Sequence, residues 1–203
     1  MKRIIIFAVA FGFCFATLNN QANAQTFKKG DKVLNVGIGF GDPYGGWGSY
    51  GWETKVPAIH ASLDYGIIDK IFGVDKLSLG VGGLVGFKMK GYDFNGYGSR
   101  DYTWTYSTFV IGARGTFHYE INKDFEAYGG AMIGFRYVSF DYDDYWEDYY
   151  YGWYNSEPDN SDSDFLFDLF VGARYYFTKS IGAFGEVGYA NIAYFNLGVS
   201  FKF

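Results

Sequence analysis

The sequence predicts an all-β chain: an eight-stranded antiparallel up-and-down transmembrane β-barrel. Three observations predict it. Segments of strictly alternating apolar and polar residues recur eight times, several of them longer than the ~5–6 residues of an average globular strand and close to the ~9–11 of a tilted membrane strand. Their polar faces are made of glycine and charge. The links between them alternate between brief and long, the turn-and-loop pattern of membrane barrels.

The chain opens with a leader. Met1, Lys2 and Arg3 are followed by an almost unbroken apolar run from Ile4 to Ala16, and Ala22-Asn23-Ala24 places small residues at the −3 and −1 positions of a cleavage site. Residues 1–24 therefore read as a cleaved signal peptide, with an apolar run too short to span a bilayer. Phe11-Gly12-Phe13 is too bulky before Cys14 for a lipidation signal. Cleavage leaves 179 of the 203 residues and no cysteine, so neither disulfides nor thiolate metal sites are expected. Losing Lys2 and Arg3 from 17 basic residues leaves 15 against 22 acidic ones, a formal charge of −7, which argues against nucleic acid as a partner.

The strands follow in order. The first alternates Leu34, Val36, Ile38 and Phe40 with Asn35, Gly37 and Gly39; the second, Ile59, Ala61, Leu63, Tyr65 and Ile67 with His60, Ser62, Asp64 and Gly66. In the third, Leu77 to Met89 alternate with Ser78 to Lys90, and Leu84 breaks the polarity. The fourth sets Phe109, Ile111, Ala113, Phe117 and Tyr119 against Gly112, Arg114, Thr116 and His118. The fifth sets Ala131, Ile133, Phe135 and Tyr137 against Gly130, Gly134 and Arg136. The sixth runs from Phe165 to Phe177 against Asp168, Gly172 and Arg174. The seventh is weakest, with Val187 and Tyr189 against Glu186 and Gly188. The eighth, Phe195 to Phe203, alternates to the last residue of the chain. Period two places each apolar set on one face.

A secreted β-sandwich accommodates the same alternation by burying the apolar faces. Two features favour the barrel. Glycine weakens an ordinary solvated strand but suits a narrow lumen filled by a few long side chains. Phe40, Tyr65, Tyr119, Tyr137, Tyr175 and Phe177 stand near strand ends, where the aromatic girdles of a membrane barrel lie. Long extracellular loops are expected at about 41–55, 91–103 and 141–164, and short links at 69–76, 120–125, 178–181 and 190–192. The segment 109–130 is echoed by 169–189, each running strand, Gly-Ala-Arg, aromatic end and short turn, as a repeated hairpin.

Four motifs stand out: Gly112-Ala113-Arg114, Tyr128-Gly129-Gly130, Gly185-Glu186-Val187-Gly188-Tyr189 and the closing Asn196 to Phe203. On these, from about residue 25 to 203, the chain resembles the OmpA/OmpX-type small outer-membrane barrels, in particular the outer-membrane β-barrel domain proteins of Gram-negative Bacteroidetes. The resemblance implies an outer-membrane location among outer-membrane lipids. It also implies that the terminal aromatic strand, with Phe201 and Phe203 as its signal, is read by the barrel-assembly machinery.

Function is then expected from two places. Asp64, Lys88, Arg114, Arg136, Asp168, Arg174 and Glu186 form a candidate lumen charge network; a lumen charge is costly unless paired, and an eight-stranded lumen is just wide enough to be filled by side chains. The network reads as a plug, with a narrow small-solute channel as the alternative. The segment 141–164 holds nine carboxylates and eight Tyr or Trp. Trp47, Trp52, Tyr145, Trp146, Tyr149, Tyr150, Trp153 and Tyr154 are candidate surface-loop binding residues for an extracellular glycan or protein ligand, since flat aromatic faces bind at low entropic cost. The clustered Asp residues lack the turn glycine of an EF-hand loop. No metal, cofactor or catalytic residue is assigned and the chain reads as a non-enzyme; a lipid A-modifying barrel enzyme is the further alternative, one that needs a histidine at the lipid-facing wall, whereas His60 and His118 both fall on inward positions.

Overall fold

A computed structural model describes residues 27–43, 53–94, 102–144, 160–189 and 192–203. Its strands are β1 (Lys32–Phe40), β2 (Glu53–Asp69), β3 (Leu77–Phe94), β4 (Tyr102–Glu120), β5 (Phe125–Asp144), β6 (Asn160–Tyr176), β7 (Ile181–Gly188) and β8 (Phe195–Lys202). Each is antiparallel to the next, and β8 pairs with β1, so the sheet closes on itself. Val36 lies opposite Val199 and Gly37 opposite Gly198 along the closing seam. Phe203 still takes part: its N–H donates to the Lys32 carbonyl and its carbonyl accepts from the Lys32 N–H, both at 3.0 Å. Along the stretch where all eight strands pair, closure leaves no open edge, the condition for crossing hydrocarbon with strands.

The apolar rows face outward. Phe135, Phe165, Leu169 and Val171 are 61%, 67%, 58% and 65% exposed, and every aromatic assigned to a girdle is exposed as well. No soluble monomer of this size leaves such a continuous apolar belt to water; the belt is a surface made for lipid. Inside, the polar rows and the glycines fill the lumen. Leu84 is buried there, which explains the break it makes in the alternation of β3. A bulge between Gly66 and Ile68 turns Ile68 outward as well, to 47% exposure.

The strands run further than the alternation indicates. Segments assigned to loops at 53–55, 91–94, 102–103, 141–144 and 160–164 are strand. The physical reason is that alternation reports one greasy face, and above the bilayer both faces of a strand meet water. There the ladder continues on β-propensity alone, as in Tyr102-Thr103-Trp104-Thr105-Tyr106. β5, at 20 residues, spans roughly 65 Å along its own axis, well beyond an apolar band of ~25 Å. β2 to β6 therefore rise as a wall at the loop end, while β1, β7 and β8 end low. On the low side Ile192 and Ala193, just before β8, are fully buried. The other end carries the short turns and the described chain ends.

Candidate functional site: the lumen and its loop-end mouth

Antiparallel register brings the inward side chains of β2, β4, β5, β6 and β7 to one level. Asp64 on β2 lies 3.3 Å from Arg114 Nε through Oδ1 and 3.6 Å from Arg174 Nη2 through Oδ2. Arg114 Nη2 donates to Glu186 at 2.9 Å, and Arg174 Nη1 donates to Glu126, its direct cross-strand partner. Thr116 Oγ1 donates to Asp64 at 3.2 Å. Arg174 Nε donates to Ser200 at 3.1 Å, Ser200 donates to Asn35 at 2.7 Å, and the Asn35 amide donates to Ser62 at 3.1 Å. Asp64, Glu126 and Arg174 have no exposed surface at all. Two guanidiniums thus lie among three carboxylates inside the wall, each ion within 4 Å of an opposite charge, and hydroxyls and an amide extend the network, which offsets the cost of burying the charges.

Arene faces complete the packing. The Arg114 guanidinium lies 3.9 Å over Phe170 and that of Arg174 lies 4.8 Å over Tyr128. Towards the loop end the network gives way to an apolar cluster that includes Leu84, Val110, Met132, Leu166, Phe170 and Ile192. Towards the turn end it is capped by the segment preceding β1. Phe27 is buried, stacks on His118 at 3.8 Å, donates its N–H to Glu126 at 2.9 Å and accepts from Ser78 at 3.1 Å.

Of the seven residues expected to form one charge network, Asp64, Arg114, Arg174 and Glu186 come together. Lys88 and Arg136 do not join them. Lys88 donates to Asp42 at 2.6 Å, with Lys90 on the other oxygen of that carboxylate, and Arg136 donates to Asp164 near the loop-end rim. Asp168 is buried between the two levels on β6, opposite Met132. The separation follows from strand geometry: Arg136 and Arg114 are inward residues on adjacent strands, but Arg136 pairs with Val110, four residues along β4 from Arg114. Glu126 and Phe27 are the members that sequence reasoning missed. Reading the alternation of the fifth strand from Gly130 leaves Glu126 unassigned between the link at 120–125 and the strand, although it is two residues before Tyr128 on the same inward parity. Phe27 precedes any alternation.

Both histidines are inward and buried. His118 Nδ1 lies 3.4 Å from Glu126, and His60 meets the edge of Phe184 at 5.8 Å. Neither reaches the lipid-facing wall. At the loop end, Trp104, Tyr106 and Phe140 share the inner face of the wall with Lys90 and Arg136. The Trp104 and Phe140 rings are 5.4 Å apart, and those of Tyr106 and Phe140 4.8 Å. Trp47, Trp52, Tyr145, Trp146, Tyr149, Tyr150, Trp153 and Tyr154 lie outside the described residues. Phe201 and Phe203 are exposed on the outer face of β8 and at its end.

No protein-family model matches the chain, and no curated protein matches it in sequence. Solved structures do match in fold. One is Ail, the attachment invasion locus protein of Yersinia pestis, in complex with the heparin analogue sucrose octasulfate. The identity is 13%, the match covers 86% of this chain and 99% of that one, and the TM-score is 0.51. The Yersinia pestis outer membrane protein Ail in a phospholipid bilayer nanodisc matches at 12% identity over 86% and 100% of the two chains, with a TM-score of 0.44. The N-terminal β-barrel domain of Pseudomonas aeruginosa OprF matches at 12% identity over 87% and 98%, with a TM-score of 0.43. The chain has the fold of the small eight-stranded outer-membrane barrels, the fold its sequence resembles.

Proposed function

We propose that this chain is an outer-membrane surface protein whose barrel anchors it and whose raised loop end engages an extracellular ligand, with residues 1–24 removed on export and the short turns in the periplasm. One observation carries the reading. The lumen is filled over its length by Phe27, the ion network around Arg174 and the apolar cluster around Met132 and Ile192. A barrel filled in this way conducts no solute, which leaves the loop end as the working surface. Both histidines face inward, so the described lipid-facing wall offers no histidine as a general base, which supports a role other than catalysis.

The kind of ligand follows from charge. Segment 141–164 carries nine carboxylates and no Lys or Arg among its eight Tyr and Trp. Such a surface repels a sulfated polyanion and suits a neutral glycan, stacked on aromatic faces, or a basic protein face. The complex of Ail with the heparin analogue sucrose octasulfate supports a sugar-like ligand for a barrel of this fold, and the acidic loop sets this chain's preference apart. The terminal row ending in Phe201 and Phe203 is where the assembly machinery would engage.

The test is binding of neutral-glycan and basic-protein arrays to the reconstituted chain, compared with a variant in which the aromatics of 149–154 are replaced by Ser. Binding that is lost in the variant, with no current in planar bilayers for either chain, is the expected result. Stepwise conductance by the wild-type chain, or arrays bound equally by both chains, overturns the reading.

A further inference from the structure

We propose that the turn end of the barrel is a lipid-headgroup collar, in which exposed lysines, each beside an exposed apolar side chain, bind the anionic phospholipids of the leaflet they stand in. The proposal rests on the bilayer reading given above and adds a chemistry to one end of it.

The pattern repeats around the whole rim. In the β2–β3 turn Phe72 is 91% exposed and is flanked by Lys70 and Lys76. Phe72 holds φ at +53°, an uncommon conformation for a bulky residue, and it aims an aromatic ring away from the barrel. In the β4–β5 turn exposed Ile121 is followed by Lys123, and in the β6–β7 turn exposed Phe177 is followed by Lys179. At the closing seam Phe203 is 67% exposed, and Lys32, on the outward parity of β1, sits beside it and in register with Tyr65. Three turns and the seam thus present the same couple. A ring or alkyl group seated at the acyl boundary with an ammonium beside it is how side chains anchor in a headgroup layer.

Charge favours anionic headgroups over zwitterionic ones. Segments 28–32, 69–76, 120–124, 178–181 and 202–203 hold eight lysines and five carboxylates. Three of those carboxylates turn back on the protein: Asp31 accepts from the Lys28 N–H and lies 3.6 Å from Lys202, Asp69 accepts from the Lys29 N–H, and Asp75 pairs with Lys70, so the collar charge rests on the lysines other than Lys70 and Lys202. The opposite end has the reverse balance, with 13 carboxylates and two basic residues in segments 41–55, 91–103 and 141–164. A lysine close to an anionic surface contributes roughly fivefold to the affinity for it, within a Debye length and subject to salt.

The experiment compares the exported chain with the variant Lys32→Gln/Lys76→Gln/Lys123→Gln/Lys179→Gln, each folded into phosphatidylcholine vesicles with and without phosphatidylglycerol. The readout is the temperature at which the folded, fast-migrating gel band is lost. Folding into phosphatidylcholine itself tests the barrel. The expected result is a higher midpoint for wild type in the anionic vesicles at low salt, a gain absent at high salt and absent in the variant, with both chains alike in phosphatidylcholine. Equal wild-type midpoints in the two lipids, or a variant that keeps the gain, overturn the proposal. Should the variant fail to fold, Phe72→Cys carries the test, because the exported chain has no other cysteine. A polarity-sensitive dye there is expected to report a headgroup environment that deepens with phosphatidylglycerol, and a water-like signal in both lipids overturns the collar.

Discussion

Asp64 and Arg114 meet over Gly82. The three residues are in register on β2, β3 and β4, and the carboxylate and guanidinium of the outer two close to 3.3 Å across the bare backbone of the middle one. Asp64 is also the nearest carboxylate shared by both lumen arginines, since its second oxygen faces Arg174 at 3.6 Å. Asp64→Asn keeps the shape and removes the charge between two buried cations. Removing one partner of a buried ion pair costs about 3–5 kcal/mol, so urea unfolding in vesicles is expected to shift by that order. A shift under 1 kcal/mol would mean that Glu126 and Glu186 already neutralise both arginines.

The same crossing predicts a contrast between two glycines on neighbouring strands. A Cβ on Gly82 would stand 1.7 Å from the Leu63 carbonyl oxygen, a backbone atom that cannot swing aside. A Cβ on Gly115, which faces outward, meets nothing within 4 Å. Gly82→Ala is therefore expected to destabilise by at least the ~1–3 kcal/mol of an overpacked core. Gly115→Ala is expected to be neutral or to stabilise by up to ~1 kcal/mol through the unfolded chain. Equal unfolding midpoints for the two variants would contradict the lumen packing.

These glycines also mark what a sequence can and cannot disclose here. The parity of each strand is legible because lipid on one side and a narrow lumen on the other enforce period two. Leu34, Ile59, Phe109, Ile133 and Leu197 all point where alternation places them. Inward apolar residues are not legible in this way. Tyr128, Met132, Leu166, Phe170 and Phe184 interrupt a face read as polar; all are buried in the lumen, where Tyr128 and Phe170 lie against the arginine guanidiniums, a packing role that alternation does not report. Contacts that depend on closure are equally hidden. Nothing local links Phe27 to Glu126, 99 residues away, or tells that Lys88 finds Asp42 instead of a lumen carboxylate. The candidate network was legible as a set of inward charges, and its division into levels was set by register.

The β2–β3 turn offers a pH test outside the hydrocarbon. Lys70 Nζ lies 2.7 Å from Asp75, both well exposed. The hydrogen bond and charge of Lys70 hold the Asp75 carboxyl below its ordinary value, and those of Asp75 hold the Lys70 ammonium above its own. A depressed carboxyl contributes stability above its unfolded pKa and loses it as pH falls through the folded value. A raised ammonium contributes below its unfolded pKa and loses it as pH rises through the folded value. The pair therefore acts on the plateau between the two ordinary values and fades at either extreme. Solvent screens so exposed a pair. The expectation is an Asp75 titration midpoint that rises in Lys70→Gln by NMR, with no measurable change in barrel unfolding at neutral pH. An unmoved midpoint would remove the pair.

The outward rows make the sharpest prediction, because they separate a membrane barrel from a soluble one. Val171 is 65% exposed at the middle of the outward row of β6, which runs from Phe165 to Phe177, and Tyr175 stands near its turn end. Hydrocarbon penalises a charge by depth: about 2–4 kcal/mol for an arginine at the bilayer midplane and about 0–1 near the interface, where the side chain reaches the headgroups. Val171→Arg is therefore expected to cost several times more than Tyr175→Arg when both are folded into vesicles and unfolded with guanidinium. In a barrel standing in water, both arginines would be solvated alike, and neither would cost more than the usual ~0.5 kcal/mol of a surface change. The depth dependence is the observable: two variants of one strand, four residues apart and on one face, that differ only in how far their charge must travel to reach water.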